Sequence, residues 1–222
     1  MRAAVYFTPP AGSPLARTAA EWLGRNPFDG EATRAPDPEI DPLIAAPTRY
    51  GFHATIVAPF RFAPGIDLEA VDQRLAEFCA SRDAVTIPAV TIARLGRFFA
   101  LVPAEPSTKL DDLAGSAVRA FSSHRAKLDE NEIARRRPET LSERQRAYLG
   151  EWGYPYVFED FRFHMTLTGP VTDDEAETVQ ERLTTRFADF EGQPLVIDQL
   201  AIFIEPQPGE PFRVHSVHRF GE

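Results

Sequence analysis

One short motif occurs twice in this chain, and the two copies lie half a chain apart. The first copy reads Phe-His-Ala-Thr-Ile at 52–56, and the second reads Phe-His-Met-Thr-Leu at 163–167. Pro59 and Pro170 follow the two copies at the same distance. A motif that recurs with its flanking residues in a chain of 222 residues indicates a duplicated fold. Each half then supplies one histidine and one threonine to a shared site.

The two halves also match outside the motif. The sequence VDQRL at 71–75 resembles VQERL at 179–183, and each lies in a predicted amphipathic helix that follows a motif strand. After each helix, runs rich in β-branched and aromatic residues predict two further strands. This order predicts an α+β fold with antiparallel sheets and a pseudo-two-fold axis. We expect one domain, 1–222, whose repeats cover approximately 1–105 and 106–222.

Periodicity and turn signals place the individual elements. Strands are predicted over 2–8, 49–59, 85–92, 97–102, 195–205 and 212–220, and helices over 14–24, 67–82, 109–128 and 172–187. The segment 26–47, rich in Pro, Asp and Gly, predicts a long surface loop. The charged segment 129–148 predicts a solvated helix or loop face. The sequence leaves open whether either segment closes over a site.

The motif places its polar side chains on one face of a strand. Side chains at i and i+2 point the same way, so His53 and Thr55 share a face, as do His164 and Thr166. Two imidazoles and two hydroxyls around one cavity suit metal-free hydrolysis of a phosphodiester. One neutral histidine takes a proton from water, and one protonated histidine gives a proton to the leaving oxygen. The threonine hydroxyls can donate hydrogen bonds to the phosphoryl oxygens.

Five further side chains are candidates for binding the substrate. Arg162 lies two residues before His164, so alternation places it on the face of the second histidine. Arg49 lies four residues before His53 and shares the face of the first histidine if that strand extends so far. Either guanidinium can bind a phosphate through two hydrogen bonds, although a surface role is an equal alternative for Arg49. Tyr6, Tyr154 and Tyr156 can line the cleft and stack on a sugar or base. Their alternative role is that of half-buried structural aromatics.

The remaining titratable residues do not predict a second site. His215 and His218 are three residues apart, which puts them on opposite faces of the last strand, and we expect edge or core roles for both. No spacing of His, Cys, Asp and Glu predicts a metal site, and no cofactor is expected. Cys79 is the single cysteine, cannot form an internal disulfide and is expected to be a small core residue.

Composition limits the partners of the chain. A net charge of −9 and a pI of about 5.1 argue against a broad surface for long nucleic acid or for an anionic membrane, but they allow a small pocket for one phosphate. No signal peptide or membrane-spanning stretch is visible, and one cysteine fits a reducing compartment. We therefore expect a cytoplasmic monomer that binds a small phosphorylated substrate.

These motifs resemble those of the two-histidine (2H, LigT-like) phosphoesterases, a superfamily marked by a pair of His-x-Thr/Ser motifs. The wider segments RYGFHAT at 49–55, WGYPYV at 152–157 and FRFHMTLTG at 161–169 resemble a narrower group, the DUF1045 family, which is associated with phosphonate metabolism. The resemblance covers nearly the whole chain. It implies two pseudo-symmetric lobes of antiparallel sheet and helices around a central cleft. It also implies metal-free attack on cyclic phosphates or 2′-5′-linked esters.

One position departs from the family pattern. Many relatives have a lysine two residues after the first threonine, where this chain has Val57, and strict alternation puts that position on the face of His53. A cation that could bind a second phosphate is then missing.

The association with phosphonate breakdown implies 5-phosphoribosyl 1,2-cyclic phosphate as the substrate. The alternatives are a 2′,3′-cyclic nucleotide or a 2′-5′-linked RNA end, and a non-catalytic module that binds a phosphorylated metabolite. Which histidine is the base and which is the acid is left open.

Overall fold

The computed structural model describes residues 1–221, in which strands and helices alternate along the chain. The strands are β1 (Arg2–Phe7), β2 (Ala54–Phe60), β3 (Val85–Ile87), β4 (Val90–Leu95), β5 (Phe98–Pro103), β6 (Met165–Thr166), β7 (Leu195–Ile197), β8 (Gln199–Glu205) and β9 (Arg213–Arg219). The helices are α1 (Pro14–Leu23), α2 (Asp41–Thr48), α3 (Leu68–Ala80), α4 (Thr108–Ala120), α5 (Glu130–Arg135), α6 (Glu143–Trp152) and α7 (Asp173–Arg186). Within these residues no helix has the length and apolar character needed to cross a membrane.

A seven-stranded sheet forms the centre of the molecule. Its strand order is β4-β5-β6-β2-β1-β8-β9, and β3 pairs with β7 in a separate two-stranded sheet. Every pairing between these strands is antiparallel, which confirms the predicted α+β class. The edge strand β9 extends the sheet beyond β8.

The strand order contains a two-fold repeat. If β1 is matched with β5, β2 with β6 and β4 with β8, the order from β4 to β8 reads the same in either direction. The axis of this pseudo-symmetry passes through the directly paired residues Ala54 and Met165, which we call the central pair. The second repeat therefore begins at β5, whereas the sequence expectation placed the boundary near residue 105. The two-stranded sheet also takes one strand from each repeat, so the repeats are interleaved.

The sheet has two faces with different surroundings. Helix α3 packs on β8 and β9, α4 packs on β2, and α7 packs on β4. The main hydrophobic core lies on this helix face and includes Val5 and Phe7 of β1. The alternate residues of β1, Ala4 and Tyr6, belong to a smaller buried cluster on the second face, which also holds Phe203. The alternation of side chains along β1 thus separates two apolar layers.

Several elements differ from the sequence expectations. The expected loop 26–47 contains α2, which has a proline in its first turn and Pro47 in its last, so composition alone suggested a loop. The expected strand over 49–59 begins only at Ala54, because the chain leaves α2 at Thr48 and turns at Gly51, where φ is +74°. The expected strand over 85–92 is divided into β3 and β4.

The charged region in the middle of the chain is also more structured than expected. The helix expected over 109–128 ends at Ala120, and the chain then leaves the helix to hydrogen-bond with the segment after β2. The segment 129–148 forms α5, a 3₁₀ turn and the start of α6. Its arginines Arg135 and Arg137 are exposed, as a solvated face requires. Arg136 instead lies over the ring of Tyr154 at 5.1 Å.

Candidate active site

The two His-x-Thr motifs lie side by side at the centre of the large sheet. The central pair fixes the register of β2 against β6. One step to one side of that pair, His53 lies opposite Thr166, and one step to the other side, Thr55 lies opposite His164. Residues directly opposite each other on adjacent antiparallel strands have Cβ atoms about 5 Å apart. Each histidine therefore faces the threonine of the other motif.

These four side chains lie on the second face of the sheet, away from the helices. Thr55 is directly paired with Tyr6, which belongs to the apolar cluster of that face. Thr166 is directly paired with Ala100 of β5. The apolar residues of the two motifs lie in the main core on the helix face, which confirms the predicted alternation: Phe52, Ala54, Phe163 and Met165.

The imidazole of His53 is held in one orientation and one tautomer. Its Nδ1 is 2.8 Å from the carbonyl oxygen of Gly51, and a carbonyl can only accept, so Nδ1 carries the proton. In the neutral ring Nε2 is then an acceptor, and the Thr55 hydroxyl donates to it at 3.2 Å. The ring of Tyr6 stacks on the imidazole with a centroid distance of 3.8 Å. Nε2 of His53 therefore points along the face that carries the threonines.

The surroundings of His53 keep it neutral. Desolvation by burial is the main effect and lowers the pKa of His53 to about 4. The hydrogen bond to Gly51 acts in the opposite direction, and the nearby His164 lowers the pKa further when it is charged. At neutral pH the imidazole of His53 is thus an available proton acceptor.

His164 has the same backbone anchor but different surroundings. Its Nδ1 is 2.8 Å from the carbonyl oxygen of Arg162, which fixes the same tautomer as in His53. The nearest aromatic ring is that of Phe98, tilted by 51° at a centroid distance of 5.8 Å. His164 lines an open cavity of about 470 Å³, which we call the motif cavity. The second histidine is therefore the one that faces free space.

Residues from distant parts of the chain line the motif cavity. Thr55 and His164 contribute one wall. The other lining residues come from the β4–β5 hairpin, from α6 and from the segment between α6 and β6: Arg94, Leu95, Gly96, Phe98, Gln145, Tyr154, Tyr156, Asp160, Phe161 and Arg162, with Ile56 from β2. This volume is in the range of roughly 300–1,000 Å³ that is typical of small-molecule sites.

Three of the five candidate binding residues lie at the motif cavity. Arg162, Tyr154 and Tyr156 line it, and Arg162 is exposed there. Tyr6 is buried and packs beneath His53, so its ring is not free to stack on a substrate.

Two expectations around the first motif are wrong. Arg49 does not lie on the motif strand, because α2 ends at Thr48, and its guanidinium forms an ion pair with the buried Glu205. Val57 does not share the face of His53. A β-bulge shifts the register between Thr55 and Val57, so Val57 pairs with Val5 and packs in the main core on the helix face. A lysine at position 57 would not point toward the motif cavity here.

Several residues that line the cavity carry almost no signal in the sequence. Arg94 reaches the cavity from β4, where its guanidinium donates to Asp173 at 2.7 Å. Asp160 lines the cavity and accepts hydrogen bonds from Arg144 and Gln145. No motif marks these positions, and only the tertiary fold brings them to the histidines. Asp160 lies four residues before the second histidine, and this proximity along the chain was the one available signal.

The other titratable residues lie away from the motif cavity. His218 contacts the carboxylate of Asp72 at 2.8 Å, which ties β9 to α3. Cys79 is buried in α3, and desolvation raises its pKa to about 12. Within residues 1–221 no group of three or more His, Cys, Asp and Glu side chains is arranged to hold a metal ion.

A family model matches the chain over most of its length. The model of DUF1045, described as a protein of unknown function, matches residues 55–213. The chain therefore belongs to the DUF1045 family.

Two curated relatives carry a kinase name. Both are called ribose 1,5-bisphosphate phosphokinase PhnN. One, from Janthinobacterium sp. (strain Marseille), is 39% identical over 221 residues, and the other, from Laribacter hongkongensis (strain HLHK9), is 34% identical over 218 residues. The matches cover 95% and 96% of this chain but only 49% and 50% of those proteins. The chain thus spans about half the length of the curated relatives it matches.

Solved structures with a distant likeness include phosphoesterases. A structure described as a phosphoesterase covers 100% of this chain, and 99% of its own length is matched, with 13% identity and a TM-score of 0.48. E. coli LigT, solved with 3′-AMP, covers 100% of this chain with 98% of its own length, 10% identity and a TM-score of 0.45. Both TM-scores are below 0.5, so the structural likeness is distant.

Proposed function

We propose that the chain is a metal-independent phosphodiesterase that opens a small cyclic phosphate ester by general acid–base catalysis. The observation that carries this proposal is the register of β2 against β6, which sets two histidines and two threonines around one point. Both histidines have Nδ1 anchored on a backbone carbonyl, so both can exchange protons only through Nε2. Such a pair supplies one proton acceptor and one proton donor on either side of a phosphorus atom.

The proposed reaction consumes one water. Nε2 of the neutral histidine takes a proton from the water as its oxygen attacks phosphorus, and the ring ester bond on the opposite side breaks. The protonated histidine gives its Nε2 proton to the departing oxygen, so the product is a phosphate monoester with a free hydroxyl. When the substrate binds, the Thr55 hydroxyl turns from Nε2 of His53 to the phosphate, which frees that nitrogen. Thr55 and Thr166 then donate hydrogen bonds to the non-bridging oxygens as their negative charge grows. Solvent exchange then restores the two protonation states.

The curated relatives favour one substrate, 5-phosphoribosyl 1,2-cyclic phosphate. Breaking its ring ester at O2 by hydrolysis gives ribose 1,5-bisphosphate, which is the compound in the name of those relatives. This chain has no G-x-x-x-x-G-K-[ST] pattern for binding a nucleoside triphosphate, and neither of its lysines follows a glycine. We infer that the kinase reaction in the name of those relatives belongs to residues outside the region they share with this chain, and that the proposed hydrolysis would supply the compound that the kinase consumes.

The motif cavity can hold the rest of this substrate. Arg162 offers an exposed guanidinium two residues from the second histidine, where it can bind the 5-phosphate. Tyr154 and Tyr156 form an edge-to-face pair at 5.5 Å that can pack against the ribose. We expect Arg162→Ala to raise KM for the bisphosphorylated substrate and to leave KM for a 2′,3′-cyclic nucleotide, which lacks the second phosphate, much less changed.

Phosphorus NMR tests the proposal with EDTA present throughout. The substrates are 5-phosphoribosyl 1,2-cyclic phosphate and the 2′,3′-cyclic nucleotides. Wild-type protein should open at least one, and His53→Ala and His164→Ala should each lower kcat by about 10²–10⁴-fold. His215→Ala is the matched control, because it removes an exposed imidazole on β9 and should retain activity. Activity that EDTA abolishes, or that survives either motif substitution, would contradict the proposal. Binding without turnover would favour the non-catalytic module.

A further inference from the structure

The pseudo-symmetry of the sheet allows the two motifs to be compared position by position. In the first repeat, Tyr6 of β1 is directly paired with Thr55. In the second repeat, Ala100 of β5 is directly paired with Thr166. Tyr6 and Ala100 therefore occupy equivalent positions beside the two motifs. At this position the first repeat has a phenol ring and the second has only a methyl group.

The ring of Tyr6 covers one side of the His53 imidazole. The two rings are 3.8 Å apart and inclined by only 22°, and Tyr6 is 1% exposed. Phe203 of β8 lies beside this stack, 5.0 Å from the tyrosine ring and 6.1 Å from the imidazole. His53 is thus built into an aromatic layer on the second face.

The second histidine has no such cover. Ala100 ends at its methyl group, and the ring of Phe98 is 5.8 Å from His164 and tilted by 51°. His164 also lines the motif cavity, together with Thr55. Water and substrate can therefore solvate His164 in its charged form, whereas the stacked ring excludes them from one side of His53.

We propose that Tyr6 is a positioning residue that makes the two histidines unequal, so that His53 is the general base and His164 is the general acid. The inference rests on the proposed phosphodiesterase function. A stacked, poorly solvated imidazole remains neutral and can accept a proton from water. The imidazole that faces the cavity carries the proton that the leaving oxygen receives.

Other charged groups around His53 do not reverse this assignment. Its own loop contributes Tyr50 at 6.0 Å, β1 contributes Tyr6, and β6 contributes His164, whose charge opposes a second charge on His53. Phe203 of β8 is uncharged. Within residues 1–221 no carboxylate is hydrogen-bonded or ion-paired with His53, and the buried Glu205 forms ion pairs with two arginines.

Titration of the histidines by NMR tests the role of Tyr6 without any substrate. In ¹⁵N-labelled wild-type protein, His53 should titrate near 4 and carry its neutral-form proton on Nδ1. Tyr6→Leu removes the stacked ring and should move the titration of His53 toward 6.5. Tyr6→Phe retains the ring and should leave it near the wild-type value. Titration of wild-type His53 near 6.5, or equal titration in all three proteins, would overturn the inference.

The pH dependence of residual activity tests the assignment of base and acid. His53→Ala should lose the rise of kcat/KM at acid pH, because that rise reports the base, and His164→Ala should lose the fall at alkaline pH. Tyr6→Leu should move the acidic limb upward and leave the alkaline limb in place. If His53→Ala instead lost the alkaline fall and His164→Ala lost the acidic rise, the assignment would be overturned. A protein that turns over no cyclic phosphate refutes the proposed function, whereas the NMR titration still decides the role of Tyr6.

Discussion

The burial of His53 makes the stability of the protein depend on pH below 6.5. In the unfolded chain this imidazole titrates near 6.5, whereas desolvation lowers its pKa to about 4 in the native fold. Between these values the unfolded chain binds a proton that the folded protein excludes, so the free energy of unfolding falls as the pH falls. Each tenfold difference in proton affinity corresponds to 1.36 kcal/mol. At pH 4 this effect lowers the free energy of unfolding by about 3 kcal/mol relative to neutral pH. Partial exposure of the His53 ring reduces the loss to about 2–3 kcal/mol.

Comparison with His53→Gln isolates this contribution. Urea unfolding is followed by tryptophan fluorescence at several pH values from 7.5 to 4. Carboxylates that titrate in the same range affect both proteins equally, so we expect wild-type protein to lose about 2–3 kcal/mol more than the variant. His215→Gln, which removes an exposed imidazole, should follow the wild-type curve. Parallel curves for wild type and His53→Gln would refute the reasoning, because they would show that His53 binds its proton equally in both states.

Three further substitutions test the structure around the site. Glu205→Ala leaves two arginines without their buried partner and should lower the free energy of unfolding by about 3 kcal/mol, measured in urea. Thr168→Val removes a buried hydroxyl that bonds two backbone groups and should cost about 1–3 kcal/mol; no change in Tm would contradict its role. Gly51→Ala places a Cβ 2.6 Å from Pro27 at a φ of +74°, so it should displace the carbonyl that anchors the first histidine and lower both Tm and kcat.

The repeated motif was the part of the site that sequence could predict well. Alternation correctly assigned the polar and apolar faces of the two motifs, because that rule holds wherever a strand is regular. It failed at Val57, where a β-bulge adds one residue between two pairings and moves the side chain to the helix face. No residue type in the sequence marks that bulge. It follows from how β1 and β2 fit together.

The walls of the cavity could not be predicted for a related reason. Arg94 and Gln145 are far apart in sequence, and neither belongs to a motif. The pairing of β5 with β6 brings the β4–β5 turn beside the second motif, although that turn belongs to the end of the first repeat. Helix α2 was missed because prolines are typical of loops by composition, whereas one proline of α2 lies in the first turn, where it is tolerated, and Pro47 lies one residue before the helix ends.

The two repeats differ in the same direction at two positions around the histidines. Gly51 and Arg162 are equivalent, since each lies two residues before a histidine and offers its carbonyl to Nδ1. At Gly51 a side chain would collide with Pro27, whereas Arg162 extends into the motif cavity. The second difference is that Tyr6 lies beside the first motif where Ala100 lies beside the second. Both differences leave His53 more enclosed than His164. A symmetric pair would have two equal proton affinities, but the proposed reaction needs one donor and one acceptor. The duplicated sheet supplies the geometry, and these unequal positions supply the difference in chemistry.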